Sequence, residues 1–326
     1  MQSIFLLGSE RSGSNLIRTL LGNHTQIAAP IAPHLCLSFQ RNFKNYKTDE
    51  GFNNKIELLE DIQQLVNITF HDWNIEFNKP NESQKLESFI DYVHFVYSEY
   101  ALKHEKSAYF SKDNNNHDFA LGILKDIPKA KFIYLYRDPR DQVASWMRTP
   151  IHIHTPYVAI RKWKEEQTKI LELKDFYKVD MYFLKYENLV DNPEKEMSEL
   201  LNYLELPIES ACFSTNPNNK EAEKHPLWQN INKPVKKKNY GKYMDVLSRD
   251  DVEMIETLTK NIMKELGYES TSNMNWDYGN RFLFRLKELY KREKSQRFNK
   301  VLKEKKMQIH VEKKEFMKNL FLKFKS

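Results

Sequence analysis

Apolar positions recur along this chain with two periods, and the switch between them marks out its elements. Ser3 to Leu7 is a short apolar run ended by Gly8, after which Leu16, Ile17, Leu20 and Leu21 recur at helical spacing. This predicts a buried strand, a turn and a helix. A second run, Lys131 to Tyr136, meets Arg137-Asp138-Pro139 and is followed by Val143, Ala144 and Met147, again at helical spacing. Pro139 suits a first helical turn, where its missing N–H costs no hydrogen bond. A third run, Met181-Tyr182-Phe183-Leu184, precedes Tyr186-Glu187 and a helix from Pro193 to Leu204 with Met197, Leu200, Leu201 and Leu204 as its apolar stripe. Helical patterns also fall near 55–68, 84–104, 116–126 and 156–173. Strands alternating with helices predict an α/β fold, a mainly parallel sheet of about four or five strands flanked by helices.

Toward the C-terminus the pattern changes. Residues 212–240 combine Pro217, Pro226 and Pro234 with many Asn and Lys, which predicts a long loop, and such loops are commonly functional or mobile. Ser248 to Leu266 then reads as a helix, with Ser248 as N-cap, Asp251 three residues on and Gly267 ending it. From 281 onward the chain is basic, with 16 Lys and Arg against 5 Glu, so residues 1–280 carry a net −5 although the whole chain is +6. We therefore expect one domain over 1–270 and a basic helical extension over 271–326. Phe282, Leu286, Leu289, Phe316, Leu320 and Phe324 form apolar stripes between the extension's lysines. A solvated helix, a contact with a partner or an anionic membrane surface through 281–326, and packing on the core all fit that pattern. Because the basic excess belongs to the tail, it gives the main body no reason to bind nucleic acid.

The 326 residues are 40% hydrophobic and 29% charged, the composition of a globular protein with a sizeable core. Cys36 and Cys212 are too few for a disulfide framework or a cysteine-rich zinc site. No apolar stretch of about 18 residues exists, and the first residues lack the basic and apolar regions of a signal peptide, so a cytoplasmic location is expected.

The candidate chemistry begins at the first strand–helix turn. Gly8-Ser9-Glu10-Arg11-Ser12-Gly13-Ser14-Asn15 places small residues where free backbone N–H groups and the helix dipole bind an anion. An ATP or GTP loop needs Lys after Gly13 and then Ser or Thr for magnesium, but Ser14 and Asn15 stand there. The loop's own cation is Arg11.

This loop resembles the phosphate-binding loop of the sulfotransferase family, which uses 3′-phosphoadenosine 5′-phosphosulfate as sulfuryl donor. Further segments carry the resemblance in the same order. Lys131 to Asp141, with Ser145 eight residues after Arg137, is similar to the family's second signature, whose Arg and Ser hold the donor's 3′-phosphate. Ser111-Lys112-Asp113 resembles its lysine segment, and Lys185 to Pro193 its third recurring segment. Lys233-Pro234-Val235, with Lys242-Tyr243 beyond, resembles the cofactor element of tyrosylprotein sulfotransferases and their bacterial relatives.

The resemblance implies a P-loop-type sheet and a donor held by Arg11, Ser12, Gly13, Ser14 and Asn15 at its 5′ end. Arg137 and Ser145 would hold the 3′ end, with Tyr186 and Lys242 as further contacts. A doubly charged tetrahedral phosphate suits a bidentate arginine and a hydroxyl two helical turns on. Arg11 and Lys112 would stabilise the leaving phosphate without a metal, and the product would be 3′,5′-adenosine bisphosphate. The acceptor is expected to be a hydroxyl of a small molecule, glycan, lipid or peptide tyrosine, and it has to lose its proton to a base. Relatives place a carboxylate a little over twenty residues after the loop cation. Here that stretch reads Ala28-Ala29-Pro30-Ile31-Ala32-Pro33-His34, which makes His34 the substitute base. His24 reads as a structural histidine at a helix end, and His117, His152 and His154 are further candidates. A kinase-like nucleotide enzyme and an inactive binding protein on the same fold are the alternatives.

Overall fold

In the computed structural model the described residues are 1–46, 55–68, 73–78, 80, 86–113, 115–149, 155–215, 234–279, 283–291 and 308–323. Five parallel strands form one sheet: β1 (Gln2–Leu7), β2 (Ile27–Ala28), β3 (Ala108–Ser111), β4 (Lys131–Tyr136) and β5 (Tyr182–Lys185), in the order β2-β3-β1-β4-β5. Of these, β1, β4 and β5 match the three apolar runs. The other two strands, of two and four residues, fall outside those runs.

Alternate residues of β1 enter opposite layers, as the pleat requires. Phe5 and Leu7 join Tyr109, Phe132 and Tyr134 on one face, while Ile4 and Leu6 join Phe110, Ile133 and Leu135 on the other. Helices α3 (Lys55–Val66), α4 (Phe89–Lys103) and α7 (Pro156–Asp175) pack in the first layer, and α1 (Ser14–Gly22), α8 (Tyr186–Asp191) and α9 (Pro193–Tyr203) in the second. The helix Arg249–Glu265 starts with the expected capping box between Ser248 and Asp251, and Gly267 beyond its end has φ +70°. Its face packs on α7.

Register fixes where the loops emerge. Phe5 pairs with Ser111, the last residue of β3, and Leu7 with Tyr134 near the end of β4. Tyr136 in turn pairs with Lys185, the last residue of β5. Because all strands run the same way, Arg11, Lys112, Arg137 and Tyr186 leave the sheet along one edge, where open α/β sheets bind ligands.

In the C-terminal region, residues 283–291 are helical, and the helix Gln308–Lys323 lies on the core through Phe316, Met317 and Leu320. Core packing is thus the arrangement taken by Gln308–Lys323. Phe282 and Phe324 lie outside the described residues, as do 216–233 of the expected long loop.

Candidate active site

A cleft of about 730 Å³ opens at this sheet edge. The loop between β1 and α1 forms its floor. Gly13 caps α1 with φ +107°, and a Cβ on it would stand 2.4 Å from Cδ2 of Tyr186, so only glycine lets the loop pass beneath that ring. Gly13, Ser14 and Asn15 line the cleft with the first turn of α1, whose N–H groups have no partner within the helix. Ser12 does not line it: its hydroxyl donates to Ser9 O at 2.7 Å and closes the loop on itself.

Among the described residues five cations line the same cleft: Arg11, Arg137, Arg148, Lys236 and Lys242. Arg11 adopts φ +67° and donates from Nε to Ser145 Oγ at 3.2 Å. Burial and the nearby Arg137 both push the Arg11 guanidinium below its ordinary pKa. Arg137 lies 4.3 Å over the Tyr186 ring and donates to the carbonyls of Arg11, at 3.3 Å, and Asn239, at 3.2 Å. Asn239 continues the wall, donating to Tyr186 Oη at 3.0 Å and accepting from Lys242 Nζ at 3.4 Å. Among the described residues Asp141 is the carboxylate that lines the cleft, and its oxygens accept the N–H groups of Gly241 and Lys242. That pair of bonds ties the 239–242 segment to helix α6 (Pro139–Met147).

Lys112 and His34 are not among the residues that line the cleft; Lys112 borders it through Asn15, which does line it. Lys112 is half-buried, and its Nζ donates to Asn15 Oδ1 at 2.8 Å. Burial, helped by Arg18, pushes its ammonium down to about 8. The next residue, Asp113, is buried; its carboxylate accepts from His34 N–H and Leu35 N–H, each at 3.0 Å, and from Tyr97 Oη at 3.0 Å. His34 is therefore drawn to the lysine segment through Asp113. It caps the short helix α2 (Leu35–Phe39) in a left-handed conformation, φ +61° and ψ +49°, which costs a non-glycine residue about 1 kcal/mol and needs such outside restraint.

The remaining histidines separate cleanly. His24 is fully buried at the end of α1, bonding Pro207 O through Nε2 at 2.9 Å and Gln26 N–H through Nδ1 at 3.0 Å, a structural role. His117, at the start of α5 (Asn116–Asp126), is pushed down to about 4 by burial. His152 and His154 lie outside the described residues, as does Lys233.

Several supporting residues had no role in the sequence reading. Gln167 Nε2 donates to Ser9 Oγ at 2.7 Å, Gln142 Nε2 to Glu10 O, and Trp163 Nε1 to Gln142 Oε1 at 3.0 Å. Helices α6 and α7 thus hold the loop between β1 and α1 from behind. Asp113 and Asp141 stood inside quoted motifs without a task. Asn239 lay in a stretch without periodicity and gave no signal.

The sequence model of the sulfotransferase family matches residues 3–210. The chain belongs to the sulfotransferase family. Among solved structures, the sulfotransferase domain from the curacin biosynthetic pathway has a TM-score of 0.55 at 20% identity, covering 82% of this chain and 99% of that one. The sulfotransferase domain of the Synechococcus PCC 7002 olefin synthase follows at 0.45 and 19%, with coverage of 79% and 94%. Sulfotransferase STF9 from Mycobacterium avium gives 0.45 and 13%, with coverage of 82% and 77%. At such identities the first likeness bears on the fold alone, and that fold is the parallel sheet flanked by helices described above. No curated protein sequence matches the chain.

Proposed function

We propose that this sulfotransferase moves a sulfuryl group from 3′-phosphoadenosine 5′-phosphosulfate to a hydroxyl acceptor. The observation that carries the reading is the charge of the cleft: among the described residues five cations line it, of which Arg148 is paired with Asp245, against one carboxylate already engaged with backbone N–H groups. Such a surface favours a ligand with phosphates at both ends, and the adenosine between them has the Tyr186 and Val235 side chains of the cleft to lie against.

In this reading the 5′-phosphate sits on the loop amides of Gly13, Ser14 and Asn15. The 3′-phosphate takes Arg137 and Ser145. Arg11, already bonded to Ser145, spans the two ends. Ser12 contributes at most its backbone N–H, since its hydroxyl is spent on Ser9 O.

The acceptor oxygen attacks sulfur in line. The bond from sulfur to the bridging oxygen breaks, its electron pair stays on the 5′-phosphate, and the acceptor's proton passes to a base. Lys112 and Arg11 stabilise the charge gathering on the leaving phosphate, which is where most of the catalysis lies in a transfer of this kind. His34 receives the proton.

The test is transfer of label from sulfur-35 donor into an extract of cells lacking the protein, followed by identification of the labelled product. The unaltered protein should label a hydroxyl-bearing compound and Lys112→Ala should not. Equal labelling by both proteins contradicts the proposal.

A further inference from the structure

One face of the helix Gln308–Lys323 holds Lys313, Phe316, Met317 and Leu320, which share it by their spacing of three and four residues. Leu320 is buried in the core, and Phe316 and Met317 pack against it. Lys313 therefore stands where packing alone favours an apolar side chain. At the other end of the helix, Lys323 pairs with Glu57 at 2.6 Å and with Asp61 at 2.7 Å. The helix is thus pinned by Lys313 in its first half and by Lys323 at its last residue, with apolar contacts between.

The partners of Lys313 set it apart from an ordinary docking residue. Its Nζ donates to Pro33 O at 3.3 Å, the carbonyl immediately before His34. Asp113, immediately after Lys112, attracts it electrostatically, while burial pushes its ammonium down to about 8. Asp113 itself is held toward its neutral form by burial, and Lys313 is the cation that opposes this most. One turn of chain is consequently gripped from two sides, Pro33 O by the lysine and His34 N–H by the aspartate.

We propose that Lys313 is a positioning residue of the transfer site: the C-terminal helix inserts it to clamp the Pro33–His34 turn against Asp113, and so fixes the His34 backbone against the residue that follows Lys112. The apolar stripe accounts for the docking of the helix. It does not account for a lysine within that stripe whose ammonium reaches the turn carrying the base. The inference rests on the sulfotransferase reading with His34 as base.

Hydrogen–deuterium exchange on the full-length protein tests it, read with the affinity for adenosine 3′,5′-bisphosphate. Lys313→Met keeps the aliphatic stem and removes the ammonium. It should speed exchange at the His34 and Leu35 amides by about tenfold or more, leave residues 9–21 unchanged, and keep the bisphosphate Kd within about twofold. Donor hydrolysis, with water as the acceptor, should fall about tenfold at unchanged donor KM, and Lys313→Arg should restore both readouts. Unchanged exchange at His34 and Leu35 overturns the proposal. So does faster exchange that extends through residues 9–21 with weakened bisphosphate binding, because Lys313 would then serve general stability. Failure of the unaltered protein to bind the bisphosphate overturns the transferase reading, and with it the catalytic purpose of the clamp, whatever the exchange shows.

Discussion

Arg137 and Arg140 stand three residues apart and live in opposite electrostatic surroundings. Arg140 is buried and fully matched, with Asp138 at 2.6 Å and Glu256 at 2.5 Å, and its guanidinium lies 4.9 Å over the Tyr243 ring. Glu256 is itself fully buried and also accepts from Thr271 and Ser272, so this cluster joins α6, the helix Arg249–Glu265 and the segment after it. Among the described residues Arg137 donates to two carbonyls, lies over the Tyr186 ring and attracts the Asp141 carboxylate without forming an ion pair with it, and its buried Nε has no hydrogen-bond partner. Burying a charge is expensive unless it is paired. The first arginine is paired by the fold, and we assign the pairing of the second to the donor.

The comparison is broken most forcefully at Arg140. Arg140→Ala leaves Asp138 and Glu256 without their cation, a loss of about 3–5 kcal/mol that should lower Tm by about 10 °C or unfold the chain. Arg137→Ala should leave Tm unchanged or raise it, since it relieves repulsion against Arg11. Thermal melts of the two variants side by side check this, and equal destabilisation would erase the distinction.

Next in size are the variants at the reacting group. Lys112→Ala should cut turnover by two or more orders of magnitude, about 3 kcal/mol of transition-state stabilisation, while the protein stays folded. His34→Ala should cost about 100-fold as the loss of a general base. A steady-state rate unchanged in His34→Ala but abolished in Lys112→Ala would keep the transfer chemistry and move the base elsewhere. The reverse result would remove the reason for placing Lys112 at the leaving group.

A smaller effect lies in the pH profile. Lys112 is pushed down to about 8, so its charge is present below that pH and lost as pH rises through it. The kcat/KM for donor should therefore fall about tenfold per pH unit above about 8. Lys313 is pushed to the same range, and the two are told apart by Lys112→Arg, which should move the limb upward. A flat profile to pH 10 would contradict the shift.

What was legible in the sequence follows the same division between backbone and side-chain partners. Strands β1, β4 and β5 and the long helices declared themselves because apolar periodicity is local, and the loop at Gly8–Asn15 because small residues and a strand–helix switch coincide. β3, no shorter than β5, stood outside the three apolar runs, although it sits beside β1 at the centre of the sheet. Arg11 reaches Ser145 from 134 positions away, and Lys112 reaches Asn15 from 97, so those pairings depend on register that no local pattern carries. Lys313 is the extreme case: it lies 280 positions from Pro33, and the sequence presents it as one more tail lysine.

The central claim is that Arg137, with Arg11 beside it, serves a ligand with a phosphate at each end of adenosine. Isothermal titration of the unaltered protein and of Arg137→Ala with adenosine 3′,5′-bisphosphate and with ATP tests it most directly. The account predicts tight binding of the bisphosphate by the unaltered protein, weak binding of ATP, and a loss of about 100-fold in bisphosphate affinity in Arg137→Ala, as removal of a buried charge-assisted contact gives. Equal affinity for the two nucleotides, or a bisphosphate affinity untouched by Arg137→Ala, would contradict it.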